Sequence, residues 1–535
     1  MVSCKQIVWL KFLVIVLLLL GVFFRFVNLD RKIYWFDETF TSLRISGYTQ
    51  QEAVRQVCDG NEIGLADLQK YQLPTLGRTS IDTIKSLAVE DAQHPPLYFL
   101  MARFWVQWFG SSVVVTRSLS ALISLLAFPC IYWLCLELFK SSLMGWVAIA
   151  LLAVLPFHVL YAQEARQYSL WTVTILLSSA TLLRAMRLKT KFSWGIYAAT
   201  VALGLYTFLF SGFVAIAHGI YVVATESFRL SKTVTAYLLA SLIGLLAFMP
   251  WLLVVIIQLA QVQKTTNWTS DTKISLLELI AAWAINISYF FVDFNYDFDR
   301  TFDNTILEYM QLCLIPFILV LVGYSIYFLY RKASKRVWLF VSILIVIPAL
   351  PLVIPDLIWG GIRSIQPRYL IPSYLGIQLA VSYLLTTQIT STFVNIWQQK
   401  LWQFIKVALI SVGILSCAIS SQADTWRNKY LNIYTPQVVQ IINKATHPLL
   451  ITSCQLNGIG DELSLSHLLA PKVRLQLVNE LNVPQISNSF SDVFLYLPNH
   501  NLPLELLREK LEKGQKYKIE DIYPDKLQLW KIVKL

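Results

Sequence analysis

The chain runs to 535 residues, 56% hydrophobic and only 14% charged, with a formal net charge of +12. About a quarter of an ordinary soluble domain is charged, so this composition excludes a conventional soluble protein and indicates a polytopic membrane protein. Lys and Arg gather in short loops between apolar runs, which assigns the positive balance to topology and anionic headgroups, not to nucleic acid.

Residues 7–27 are almost wholly apolar and long enough to cross a bilayer. That core is too long for a cleaved leader and no small-residue cleavage site follows, so it reads as a retained anchor. Further apolar stretches fall near 94–110, 112–139, 141–160, 165–187, 192–210, 212–228, 233–258, 305–330, 337–355, 369–388 and 401–420. Polar intervals lie at 30–93, 259–304, 356–368 and 421–535. Basic loops around Arg184–Lys191, Arg229–Lys232 and Arg331–Arg336 are expected inside. Parity then requires an even number of crossings between Asp37 and Glu164. The short stretch 94–110, with Arg103 near its middle, is therefore expected to lie along the outer interface without spanning. About 11 crossings remain, and every long polar interval is placed outside.

The tail changes character. Helices are predicted at 435–445, 462–469 and 504–513, and strands at 449–454, 473–478 and 493–497, with two more strands closing the chain. This alternation indicates a small α/β domain. The expected division is a membrane-embedded domain over 1–420, whose outer loop 30–93 carries an acidic motif, and an extracytoplasmic α/β domain over 421–535. The seven cysteines show no metal-ligand spacing, although Cys58 and Cys454 are both placed outside and can pair.

Four polar groups converge on the outer face. Asp37-Glu38 follows the anchor; such carboxylates can take a proton, hold a hard divalent cation, or simply sit solvated at a helix start. Gln93-His94-Pro95-Pro96 opens the next apolar stretch, where His94 is a metal ligand, a phosphate contact or a structural residue. Gln163, Arg166 and Gln167 are expected on one helical face, with Glu164 as the structural partner of Arg166 and phosphate as its functional one. Arg363 and Arg368 stand at the outer mouth against the positive-inside tendency, facing an anionic ligand or a lipid headgroup. The run Asp293, Asn295, Asp297, Asp299 lacks the Gly and Glu of a calcium loop.

The order Trp35-Phe36-Asp37-Glu38, His94-Pro95-Pro96-Leu97-Tyr98-Phe99, Arg117-Ser118-Leu119-Ser120-Ala121-Leu122, Gln163-Glu164-Ala165-Arg166-Gln167-Tyr168 and Pro367-Arg368-Tyr369-Leu370 resembles the protein mannosyltransferase/aminoarabinose-transferase-like superfamily. These are GT-C glycosyltransferases of the family 39 type. The resemblance covers roughly residues 1–390. It implies an α-helical polytopic membrane protein of GT-C type, with about 11–13 membrane helices and the small C-terminal α/β domain. It also implies a polyprenyl-phosphate-linked sugar donor and a site on the outer face of the cytoplasmic membrane. Asp37 then matches the catalytic acid motif, with Glu38 beside it. Arg166 and Arg368 match positions connected with the donor phosphate, and Arg363 is grouped with them. His94, Glu164, Tyr168 and Tyr369 are auxiliary. Many relatives carry His after Tyr-Thr, whereas Tyr206-Thr207 is followed here by Phe208. No metal is assigned; a divalent ion on Asp37, Glu38 and His94 is the remaining cofactor option. The expected reaction is inverting transfer to a hydroxyl of a lipid, glycan or protein, with Asp37 as base. The rival readings are a flippase for lipid-linked glycan, disfavoured by the one-sided charge and the lack of a repeat, and a non-catalytic scaffold.

Overall fold

A bilayer satisfies no backbone polar group, so long apolar runs become helices. The computed structural model describes residues 4–295, 306–390, 396–453, 459–478, 486–487, 489–497, 517–521, 523 and 525–534. The contacts divide the chain into two units, the first comprising Met1–Leu29, Asp91–Tyr98 and Arg117–Gln422, the second Asp30–Glu90, Phe99–Thr116 and Ala423–Leu535.

Among the described residues, six helices are long and apolar enough to cross a membrane: Val113–Phe139, Tyr168–Leu188, Lys232–Ile257, Ile306–Lys332, Pro367–Thr390 and Ile396–Ser421. Two bent pairs raise this to eight, and Phe12–Phe26, Ser211–Thr225 and Leu276–Phe291 are shorter apolar helices. The chain is thus a multi-pass membrane protein. Leu276–Phe291 lies where a polar interval was expected; Ser275 and Glu278 cap its start reciprocally. Asp297 and Asp299, from the acidic run, lie outside the described residues.

The first unit is organised around a broken helix. Ser142–Val154 and Pro156–Ala162 meet at 61°. Pro156 has no N–H to give the carbonyl one turn back, that of Leu152. Arg25, fully buried, supplies donors instead: Nη2 to Leu152 O at 3.0 Å and Nη1 to Ala153 O at 2.9 Å. Its Nε donates to Ser124 Oγ at 3.1 Å. Cys417 Sγ donates to Val154 O at 3.4 Å. Close approach at the break requires glycine: a Cβ on Gly21 would lie 2.7 Å from Ala153 O, and one on Gly413 2.8 Å from Val154 O.

The second unit holds a sheet of β1 (Glu62–Ile63), β2 (Pro448–Ser453), β3 (Arg474–Val478), β4 (Asp492–Tyr496), β5 (Tyr517–Glu520) and β6 (Leu529–Lys534), in the order β1-β3-β2-β4-β6-β5. β2 is parallel to both β3 and β4, while β1, β5 and β6 pair antiparallel. The expected helix at 504–513 lies outside the described residues. One sheet face, with Leu450, Leu475 and Phe494, packs on Leu43, Ala53, Val57, Leu68 and Tyr71 as well as Val438 and Ile442. The other carries Leu449, Ile451, Val493, Leu495 and Ile532. Residues 30–90 therefore do more than form a loop of the membrane part: they provide an edge strand and a share of one core.

The helix Leu97–Phe109 has 13 residues, a rise of about 20 Å against a hydrocarbon core of about 30 Å, too short to span. Arg103 is fully buried, and its guanidinium donates to Ile45 O at 2.6 Å, to Thr83 Oγ1 at 3.2 Å and to Arg78 O.

Candidate active site

In the first unit, the Pro156–Ala162 helix ends at Gln163 and the next begins at Tyr168. Residues 163–167 thus form a turn, where a shared helical face was expected. The break after Ala162 is made by side-chain and local bonds. Gln163 Nε2 donates to Phe24 O and Val27 O at 2.8 and 2.9 Å, and Arg166 N to Glu164 O at 2.7 Å. Arg166 Nη2 lies 3.0 Å from His94 Nε2. Arginine only donates, so His94 Nε2 accepts and the ring carries its proton on Nδ1. That Nδ1 is 3.6 Å from Asp91 Oδ1. Trp251 Nε1 donates to Ala92 O at 3.1 Å, fixing the segment before Pro95-Pro96. Tyr98 Oη and Ser120 Oγ are 2.8 Å apart, and Ser120 Oγ is 3.2 Å from Arg166 O. Glu164 and Gln167 are buried, and the Gln167 amide has no hydrogen-bond partner among the described residues.

Arg363 is committed elsewhere: Nη1 lies 2.8 Å from Asp356 Oδ1, and Nη2 donates to Ser270 Oγ. Arg368 is mostly buried, its guanidinium carbon 5.9 Å from the Trp268 ring centre and 5.5 Å from that of Tyr369. Tyr369 stacks on Phe208 at 6.2 Å, and Tyr168 meets the same ring edge-on at 6.3 Å. The position where many relatives carry His is thus an aromatic junction. His158 and His218, read as bundle residues, bond Gln378 and the Ser179–Tyr197 pair respectively.

In the second unit, the acidic motif opens the helix Phe36–Ile45, with both carboxylates in its first turn, where the helix dipole favours negative charge. The two differ in environment. Glu38 is fully buried, with Oε2 2.7 Å from Lys429 Nζ. Asp37 is half-buried. Lys429 lies 5.6 Å from the Trp35 ring centre. Asn432 Oδ1 accepts from Phe36 N at 2.8 Å, and its Nδ2 donates to Asp461 Oδ1 at 2.8 Å. Beside it, Glu462 accepts from Thr452 Oγ1 at 3.0 Å. Burial and the neighbouring Asp461 carboxylate push Glu462 up from the ordinary carboxylate range.

Sequence reading missed Lys429, Asn432, Asp461 and Glu462. No local pattern marks them, because Glu38 and Lys429 are 391 residues apart. Asp91 had a signal, its spacing of three from His94, but the residue type alone is common.

A resident divalent ion does not fit this donor set. Glu38 faces an ammonium and His94 faces a guanidinium, and a cation beside a ligand opposes a second cation. Among the described residues no three His, Cys, Asp or Glu side chains cluster as metal ligands.

Residues 93–254 match the family model described as dolichyl-phosphate-mannose-protein mannosyltransferase. No curated protein matches the sequence. The fold is similar to that of ArnT from Cupriavidus metallidurans bound to undecaprenyl phosphate, with a TM-score of 0.54 at 11% identity over 98% of each chain. ArnT in the apo state gives 0.52 at 12%, over 99% of this chain and 98% of the other. The Archaeoglobus fulgidus oligosaccharyltransferase tethered to an acceptor peptide gives 0.50 at 12%, over 96% of this chain and 69% of the other. Residues 93–254 are thus similar to the dolichyl-phosphate-mannose-protein mannosyltransferase family, and the chain is similar in fold to ArnT.

Proposed function

We propose that this protein transfers a sugar from a polyprenyl-phosphate donor to an acceptor hydroxyl at the outer face of the cytoplasmic membrane. The observation that carries the reading is the His94–Arg166 contact inside the matched segment, with Asp91 just before it beside His94. A neutral His94 accepts from Arg166 and so holds the guanidinium in a set direction. A guanidinium held this way suits a phosphate, which it can meet with parallel N–H donors. Arg368, backed by Trp268 and Tyr369, is the second phosphate contact. Arg363 is left out, because Asp356 already engages it.

Asp37 is the base. Its neighbour Glu38 is buried against Lys429, whereas Asp37 is only half-buried, as a group that meets an acceptor hydroxyl must be. The acceptor oxygen attacks the anomeric carbon as Asp37 takes its proton, and the polyprenyl phosphate departs with its charge stabilised by the arginines. One displacement inverts the anomeric centre. Tyr168 and Tyr369 shape the aromatic wall near Phe208, and Glu164 stays with the Arg166 turn. The outward placement is supported by the basic loops and by Cys58, which is disulfide-bonded, as befits an oxidising compartment. Its suggested partner Cys454 lies outside the described residues.

The test is incorporation of labelled sugar by the purified full-length protein from undecaprenyl-phosphate hexoses and pentoses. Asp37→Asn is expected to lower the rate about 10²–10⁴-fold with the donor still bound. Undiminished transfer by that variant would remove Asp37 as base.

A further inference from the structure

The first turn of the Phe36–Ile45 helix is built against residues that arrive from the far end of the chain. Asn432 bridges Phe36 N and the Asp461 carboxylate. Lys429 pairs with Glu38, both side chains almost fully enclosed. Ser464 Oγ donates to Tyr34 O at 2.7 Å. Gly460 lets the two segments touch: a Cβ there would lie 2.6 Å from the Phe36 ring.

Such an arrangement is costly as a means of stability alone. Burying an ion pair takes desolvation that well-packed apolar side chains avoid, so the pair is weak evidence for stability and fits better as a device of orientation. What it orients is the turn carrying Asp37. The first-turn N–H of Phe36 would otherwise lack a partner, and Asn432 fills that place with a side chain itself oriented by Asp461.

We propose that Lys429 and Asn432 are positioning residues for the transfer reaction. They hold the Asp37 turn in register, which makes the tail a working part of the catalytic apparatus and not an appended module. This rests on the assignment of Asp37 as base. The residues act through Glu38 and Phe36 and touch no substrate. Geometry explains the sensitivity, since displacing a catalytic group by about 1 Å costs on the order of 10²-fold in rate.

The experiment uses the full chain in lipid nanodiscs with tritiated undecaprenyl-phosphate hexoses and pentoses. Lys429→Met, Lys429→Arg, Asn432→Ala and the double variant Glu38→Gln/Lys429→Met are compared by steady-state kinetics, thermal midpoint and amide hydrogen exchange over residues 36–45. Lys429→Met and Asn432→Ala are expected to speed exchange at residues 36–39 by about 10-fold or more. Each should lower kcat about 10–100-fold while the donor KM stays within about twofold. Lys429→Arg keeps the pair and should retain most of kcat. The double variant separates orientation from folding: with no charge left unpaired its midpoint returns to the wild-type value, yet kcat stays low. Wild-type kcat in the double variant, or in Asn432→Ala, overturns the proposal. A wild-type protein silent toward every donor overturns the transferase reading instead. The clamp is then still decided by exchange, and an unchanged rate at residues 36–39 in Asn432→Ala sinks it.

Discussion

Arg25→Met tests the account of the broken helix that leads into the Arg166 turn. The guanidinium satisfies Leu152 O and Ala153 O beside the Pro156 break and bonds Ser124 Oγ. Methionine keeps a shorter unbranched apolar stem and removes every donor. A buried carbonyl left without a donor costs ~1–3 kcal/mol, so two cost about 2–6 kcal/mol. Hydrogen bonds measured inside bilayers average ~0.6 kcal/mol, which sets a floor of about 2 kcal/mol for the bonds to Ser124, Leu152 and Ala153. Losing the desolvated charge offsets part of the higher figure. A net loss of about 2–4 kcal/mol follows from these opposing terms. A domain of 150–250 residues shifts by roughly 2–4 °C per kcal/mol and a larger chain by less, so a fall of about 3–8 °C is expected. The assay is thermal unfolding in one detergent at one scan rate, because membrane proteins of this size unfold irreversibly. Arg25→Lys keeps the charge but not the planar fork and should fall between. Undecaprenyl phosphate binding should weaken in Arg25→Met, since Gln163 and the turn to Arg166 follow directly from the bent segment. A midpoint within about 1 °C of wild type, with unaltered binding, refutes the reasoning.

Gly460→Ala places a methyl 2.6 Å from the Phe36 ring and 2.8 Å from that of Phe40. Overpacking of this kind is expected to cost about 1–3 kcal/mol, read as a lower midpoint and faster exchange in Phe36–Ile45; an unchanged helix would show that the seam yields. Glu462 supplies a pH dependence. Its carboxyl titrates above its ordinary value of 4.5 in the folded protein because of burial and Asp461, so the folded state binds the proton more tightly. That stabilising share is complete below the ordinary range and is lost as pH climbs through the raised folded value. The wild type should therefore melt lower at pH 9 than at pH 6, and Glu462→Gln should flatten that slope; parallel slopes would contradict the assignment.

Membrane character and most spans could be read from residue order, because a bilayer rewards long apolar runs and little else. Leu276–Phe291 was lost among polar neighbours, and the bend at Pro156 was hidden inside an apolar run whose composition does not change. His94 and Arg166 stood out as residue types at membrane helix starts, but their 3.0 Å contact joins positions 72 residues apart.

The sequence by itself determined which segments are long and apolar enough to enter the membrane, since hydropathy is a property of neighbours along the chain. Only the tertiary structure decided that residues 30–90 share a core with the tail, that Arg363 is held by Asp356, and that Glu38 is paired with Lys429. Those outcomes depend on which distant groups meet in a low-dielectric interior, where a partner's presence or absence outweighs anything a residue carries on its own.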